Sequence, residues 1–185
     1  MRQDEGMDIP AETLTDGEIT LSRWRPDQVD VLHRVVGDSV EHLAPWLIWA
    51  ATGYGAQEAA EYLEMTTKSW TSREAFDYAI HAPDGEVVGG CGMMARIGPG
   101  GLEIGYWLSH HHTGRGVMTK TVRLLVAEAF RIGADRVEIL HDVLNVRSGA
   151  VPERLGFTRI EQRPSDQPRT SATSGFDQVW RLTRP

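Results

Sequence analysis

Between residues 102 and 141 the chain changes its repeat twice, and that change limits the available folds more than any other feature. Leu102 to Ser109 carries Leu102, Ile104, Tyr106 and Leu108 at alternate positions, the period of a strand. Gly114 to Ile132 then places Met118, Val122, Leu125, Ala129 and Ile132 at spacings of four and three, with Lys120, Arg123 and Arg131 on the polar side, and Gly133 ends it. Arg136 to His141 returns to a strand rich in Val, Ile and Leu. Strand, long helix and strand in succession form a crossover, which makes the two strands parallel with a right-handed connection.

The flanking segments are antiparallel in character. Glu18 to Trp24 alternates, and Arg25-Pro26-Asp27 opens a helix with Val29, Leu32, Val35 and Val36 on its apolar face. Asp38 starts a second short helix that Pro45 interrupts before Trp46-Leu47-Ile48-Trp49, and Ala56 to Ser72 reads as a longer helix. Ala75 to His81, the turn Pro83-Asp84-Gly85 and Glu86 to Ile97 predict a hairpin, in which Gly89, Gly90 and Gly92 mark a bulge or a close backbone approach. After residue 141 come a short helix from Asn145 to Leu155, a strand from Phe157 to Gln162, a mobile loop from Arg163 to Gly175 and a last strand, Phe176 to Leu182. The fold class expected is α/β (α+β): a central mixed, mostly antiparallel sheet of about seven strands, with one β-α-β crossover and flanking helices. Residues 1–15 are read as a flexible, polar lead-in, and residues 16–185 as a single domain.

Composition narrows the function classes. With 41% hydrophobic and 24% charged residues, 185 residues suffice for one sizeable core. A formal net charge of -7 disfavours nucleic acid as a partner. The single Cys91 cannot close an intrachain disulfide and reads as a small buried hydrophobe, which fits a reducing, cytoplasmic compartment. No basic region followed by an apolar one opens the chain, and the longest apolar stretch, around Leu43 to Ala51, is far short of a bilayer span, so no membrane partner is expected.

The chemistry points to the junction of strand and long helix. In His110-His111-His112-Thr113-Gly114-Arg115-Gly116-Val117-Met118, two glycines let successive N–H groups converge, and the first helical turn adds unsatisfied amides and the positive end of the helix dipole. A diphosphate suits such a cradle, although G-x-G before a helix is also an ordinary tight turn. The three consecutive histidines are read as a polar loop rather than a metal site, because neighbouring side chains diverge.

Taken in order, Glu103-Ile104-Gly105-Tyr106-Trp107-Leu108-Ser109, Gly114-Arg115-Gly116, then Asp142, Asn145, Ser148 and Glu153-Arg154-Leu155-Gly156-Phe157 resemble the GNAT superfamily of acyl-CoA-dependent N-acyltransferases. With Ala44-Pro45-Trp46-Leu47-Ile48-Trp49-Ala50, the resemblance is closest to its ribosomal-protein N-terminal acetyltransferase branch and spans about residues 18 to 183. It implies an enzyme that moves an acetyl group from acetyl-CoA, with no metal, to a primary amine by direct attack. The acceptor is a protein N-terminus or a small molecule. The amides of Thr113, Gly114, Arg115, Gly116, Val117 and Met118 are implied to hold the pyrophosphate. Tyr106, Trp107, Leu108, Asn145 and Ser148 line the pantetheine arm, in a gap where the strands at 102–109 and 136–143 splay.

For the reaction, a backbone N–H near Leu108 serves as oxyanion donor, and Glu103 is the preferred base, with an ion-paired or solvent-facing strand carboxylate as the alternative. Asp177 and His81 are lesser candidates for the base. Family members often carry an acidic Tyr where this chain has Pro152, so the proton for the thiolate falls to Ser148, which is alternatively a helix cap. Pro152 and Gly149 beside Ser148 also admit a weak or inactive CoA-binding module. Trp46 and Trp49, with Glu103 and Asp177, are read as the acceptor site, whereas the Trp70, Trp107 and Trp180 rings are assigned to packing. Exposed edge strands admit a homodimer.

Overall fold

The computed structural model describes residues 7–185. Its sheet is built from β1 (Thr13–Thr15), β2 (Thr20–Arg23), β3 (Ala75–His81), β4 (Val87–Met94), β5 (Gly101–Leu108), β6 (Arg136–Asp142), β7 (Thr158–Pro164) and β8 (Phe176–Thr183). They lie in the order β1-β2-β3-β4-β5-β6-β8-β7, and every neighbouring pair is antiparallel except β5 and β6. That parallel pair is joined by α5 (Val117–Arg131), so the crossover read from the repeat change is the hinge of the topology. The remaining α-helices are α1 (Val29–Gly37), α2 (Val40–Leu43), α3 (Ile48–Ala51), α4 (Ala56–Ser72) and α6 (Val146–Arg154), and Pro26–Gln28 and His110–His112 form short 3-10 turns.

The sheet has eight strands rather than seven. Thr13–Thr15, placed by the sequence in the lead-in, pairs with Thr20–Ser22, and Ala11 N–H donates to Glu128 of α5 while Tyr78 Oη donates to the Ala11 carbonyl. Three residues show too short an alternation to be seen as a strand, so tertiary hydrogen bonds alone reveal it. The first six residues of the lead-in lie outside the described residues.

Two apolar layers sandwich the sheet. On one side, Val122, Leu125 and Ala129 of α5 meet Leu102, Ile104, Val137 and Ile139, all fully or almost fully buried. On the other, Leu32, Val35 and Val36 of α1 and Ala59 and Leu63 of α4 pack with Trp24 and Ala79. The loop expected to be mobile is tied down. Thr170 Oγ1 and Ala172 N–H donate to the Pro45 carbonyl at 2.5 and 3.1 Å, and Asp142 accepts from Ser174 and Gly175. Its polar composition supplies the donors for those bonds, which is why composition alone read it as free.

Candidate active site

The parallel ladder between β5 and β6 runs only from Gly101 and Arg136 to Ile104 and Ile139. Beyond it β5 stays with β4 as far as Leu108, and β6 stays with β8 as far as Asp142, so the two strands part and leave a fork. Ser109 N–H donates to Val88 on β4 at 2.7 Å; strand alternation therefore directs Leu108 N–H the other way, into the fork. The expected splay is thus present, and Leu108 N–H faces it.

Beside the fork lies the start of α5. Gly114 and Gly116 take φ of 75 and 76°, and a Cβ on either would meet nothing within 4 Å, so the loop presents bare backbone to solvent. The expected helix start at Gly114 moves to Val117 for this reason: those left-handed turns precede the helix. Among the described residues, Gly114 through Thr119 donate no backbone hydrogen bond to the protein, which leaves a run of amides for an anion. Arg115 is exposed at the same turn. Of the histidines, His112 Nδ1 shares a hydrogen bond with Ser109 Oγ and His110 N–H donates to Ser39. Among the described residues no three metal-ligating side chains cluster.

Across the fork, α6 carries the other expected cofactor contacts. Asn145 Oδ1 caps it by accepting from Ser148 N–H at 3.2 Å. Pro152 sits inside this helix and has no N–H to give the Ser148 carbonyl four residues earlier. Tyr106 of β5 fills that vacancy: its Oη donates to the Ser148 carbonyl at 3.0 Å and accepts from Ser148 Oγ at 3.3 Å. Burial, partly offset by the Ser148 hydrogen bond, pushes the Tyr106 phenol up to about 12. Gly149 allows a close approach rather than slack, since a Cβ there would lie 2.7 Å from the His141 ring. That ring accepts from Trp180 Nε1 at 2.9 Å, and burial lowers its basicity.

On the sheet face covered by α1 and α4 stands the aromatic cluster that includes one of the two tryptophans expected at the acceptor site. Trp49 meets Tyr54 and Trp107 edge-on, with ring centroids 5.5 and 5.9 Å away. The Trp107 indole lies over Gly90, where a Cβ would come within 2.6 Å of Nε1, and packs against the core on this side, as expected, while touching Trp49. Trp46 follows Pro45, where the loop containing Thr170 docks.

Glu103 takes the ion-pair alternative. Arg96 Nε and Nη2 donate to its two oxygens at 2.9 and 2.5 Å, and it lies on the paired part of β5, before the fork opens. A carboxylate gripped at both oxygens is poorly placed to collect a proton. Asp177 stands on β8 opposite Asp142, which separates it from the fork. His81 is held by Ser22 and the Gly85 carbonyl, on β3, well away from it.

Sequence reasoning passed over Asp77, Tyr62, Arg96 and Tyr54, which share this face. Asp77 interrupts an apolar strand and is hydrogen-bonded by Tyr62 Oη at 3.4 Å. Its alternation with Phe76 and Tyr78 was a visible signal, but only the register shows what it faces.

The comparisons agree with this arrangement. The domain profile described as "Acetyltransferase (GNAT) domain" matches residues 18–158. "Putative ribosomal N-acetyltransferase YdaF" of Bacillus subtilis (strain 168) is 31% identical over 147 residues, covering 75% of this chain and 77% of that protein. "Probable N-acetyltransferase YjcK" of the same strain is 30% identical over 107 residues, 56% of this chain and 52% of that one. The solved structure of the ribosomal L7/L12 alpha-N-protein acetyltransferase RimL in complex with coenzyme A superposes with a TM-score of 0.82 at 22% identity, over 90% of this chain and 94% of that one. The microcin C7 self-immunity acetyltransferase MccE, solved with acetyl-CoA and AMP, gives a TM-score of 0.82 at 20% identity, over 92% and 94%. At those identities the superpositions establish the fold, while the profile and the YdaF match together show that this chain belongs to the GNAT acetyltransferase family.

Proposed function

We propose that the protein transfers an acetyl group from acetyl-CoA to the primary amine of a protein N-terminus by direct attack on the thioester. The observation that carries this reading is the fork between β5 and β6 beside an unpaired, glycine-flanked helix N-terminus. The residues present fit the donor: the unpaired amides from Gly114 to Met118 for the pyrophosphate, Thr113 N–H being given to the His110 carbonyl, and the free edges of Tyr106 and Leu108 for the pantetheine amides, Trp107 being turned to β4, with Asn145 and Ser148 alongside. Acetyl-CoA supplies the activated acyl carbon. Leu108 N–H, held by the strand and aimed into the fork, stabilises the developing oxyanion. Ser148 Oγ, whose hydrogen points to Tyr106 Oη at rest, turns it to the departing sulfur and takes a replacement proton from the amine nitrogen once the C–N bond has formed.

The ribosomal acceptor named for YdaF and RimL supports a protein amine over a small molecule. The inactive-module reading loses its motive, because Tyr106 satisfies the carbonyl that Pro152 leaves free and Gly149 is needed by His141. The test is to mix the protein with acetyl-CoA and either peptides bearing free N-termini or a panel of small amines. Thiol release is followed, and the acetylated product is located by mass spectrometry. Acetylation of a peptide α-amine supports the reading. Transfer confined to small amines overturns the acceptor assignment, and acetyl-CoA binding without thiol release on any amine overturns catalysis.

A further inference from the structure

Three backbone positions on the sheet face covered by α1 and α4 form a row: Asp77 of β3 pairs with Gly92 of β4, which pairs with Gly105 of β5. The Asp77 carboxylate leans along this row, so that a Cβ on Gly92 would lie 2.6 Å from its Oδ1. One strand spacing, about 4.8 Å, separates that point from Gly105. Gly105 is half-exposed and is the first residue of β5 past the end of the parallel ladder. Among the described residues, the one atom near the vacant Cβ site of Gly105 is the Met94 methyl at 3.1 Å, the end of a flexible side chain. Two strand positions without side chains of their own, Gly92 buried beneath the Asp77 carboxylate and Gly105 half-exposed, therefore connect that carboxylate to the mouth of the fork.

Of the other strand carboxylates on this face, Asp177 lies beyond β6 at the far side of the sheet, and those nearer the fork are engaged. Arg96 grips Glu103, Arg181 and Arg136 hold Glu138, and Asp142 accepts from Leu144, Ser174 and Gly175. Asp77 has one long hydrogen bond from Tyr62 and no ion pair among the described residues. Burial raises its carboxyl to about 6, against the opposing pull of Tyr62 and Arg96. The titratable groups around it are Tyr62 on α4, Arg96 after β4 with its partner Glu103, and Tyr78 and Cys91 on the sheet.

We propose that Asp77 receives the acceptor ammonium and removes its proton, and that the bare Gly92 and Gly105 backbone is the passage by which the amine reaches the thioester. The inference rests on the acetyl-transfer reading above. The ammonium gives one proton to the Asp77 carboxylate, which releases it to water. The freed nitrogen pair forms the C–N bond, the C–S bond breaks, and the second nitrogen proton ends on the thiolate as free coenzyme A thiol. Tyr62 at Asp77 and the Trp107 ring over Gly90, with Trp49 edge-on to Trp107 and Tyr54, give this face an aromatic surface that favours a cation over a neutral guest.

The test measures kcat/KM against pH, with acetyl-CoA and a short peptide bearing a free α-amine. In the wild-type protein the profile breaks near 6, because below that value Asp77 is protonated and cannot accept. Asp77→Asn lowers kcat/KM at neutral pH by about 10²- to 10⁴-fold. Its profile has no break there and climbs to the amine's own pKa, about 7.7–8, while acetyl-CoA affinity by calorimetry is unchanged. Tyr62→Phe removes a donor that lowers the Asp77 carboxyl, so the break moves upward. An Asp77→Asn variant that keeps its rate and its break overturns the proposal. Should that variant not fold, an unmoved break in Tyr62→Phe overturns it equally. A wild-type protein that binds acetyl-CoA but releases no thiol with the peptide or any other amine refutes the acetyl-transfer reading itself, and this inference with it.

Discussion

Gly116 shows how much one position can carry. Its φ of 76° lies where a side chain is strained, and it precedes the first turn of α5 with open space on its outer side. Gly116→Glu adds backbone strain of about 1–2 kcal/mol and a negative charge where the pyrophosphate is proposed to bind. Calorimetry should show acetyl-CoA affinity reduced at least about 100-fold, the cost of facing an anion with an anion, while circular dichroism stays unchanged. Unaltered affinity counts against the cradle. The glycine pair and its place before a helix were legible in the sequence. The engagement of Glu103 by Arg96 was not, because a strand carboxylate reads the same whether its partner is a substrate or an arginine from the adjoining turn.

At the scale of elements, α6 and β5 depend on one another. Pro152 leaves the Ser148 carbonyl without its helical donor, and Tyr106 Oη takes that place from across the fork. Tyr106→Phe should therefore cost about 1–2 kcal/mol in urea unfolding, the penalty for a partly buried carbonyl left unpaired. In a Pro152→Ala background the restored N–H can serve the same carbonyl, so the same Tyr106→Phe change should cost measurably less. Equal costs in both backgrounds would show that the two groups are not coupled through Ser148. The element boundaries near the site shifted for local reasons. The helix after the glycine loop starts at Val117 because two left-handed residues come before it, and β4 ends at Met94.

Across the whole molecule, the segment between β7 and β8 closes the structure by joining distant parts of the chain. Thr170 and Ala172 hold Pro45, and Ser174 and Gly175 hold Asp142 at the tip of β6. Burial of Asp142 raises its carboxyl, but donors from Leu144, Ser174 and Gly175 outweigh it, and the net value is below the ordinary one. A carboxyl lowered on folding stabilises the protein above its unfolded pKa, near 3.9, and that contribution is lost as pH falls through the folded value. Asp142→Asn should thus destabilise by about 1–2 kcal/mol at pH 7, with the difference from wild type shrinking below about pH 4. Hydrogen exchange should quicken in residues 165–175 of the variant at neutral pH. A difference that persists undiminished in acid would assign the loss to shape rather than charge.

Hydrophobic period, turn residues and the order of short motifs determined the crossover, the mixed sheet and the glycine loop, because each is a local pattern that the chain writes into consecutive residues. The short strand Thr13–Thr15, the anchored loop after β7 and the pairing of Tyr106 with Ser148 were decided only in three dimensions. So was the row from Asp77 through Gly92 to Gly105. These residues stand far apart in sequence, and strand register sets what each one meets; no spacing along the chain encodes which carboxylate is left without an arginine.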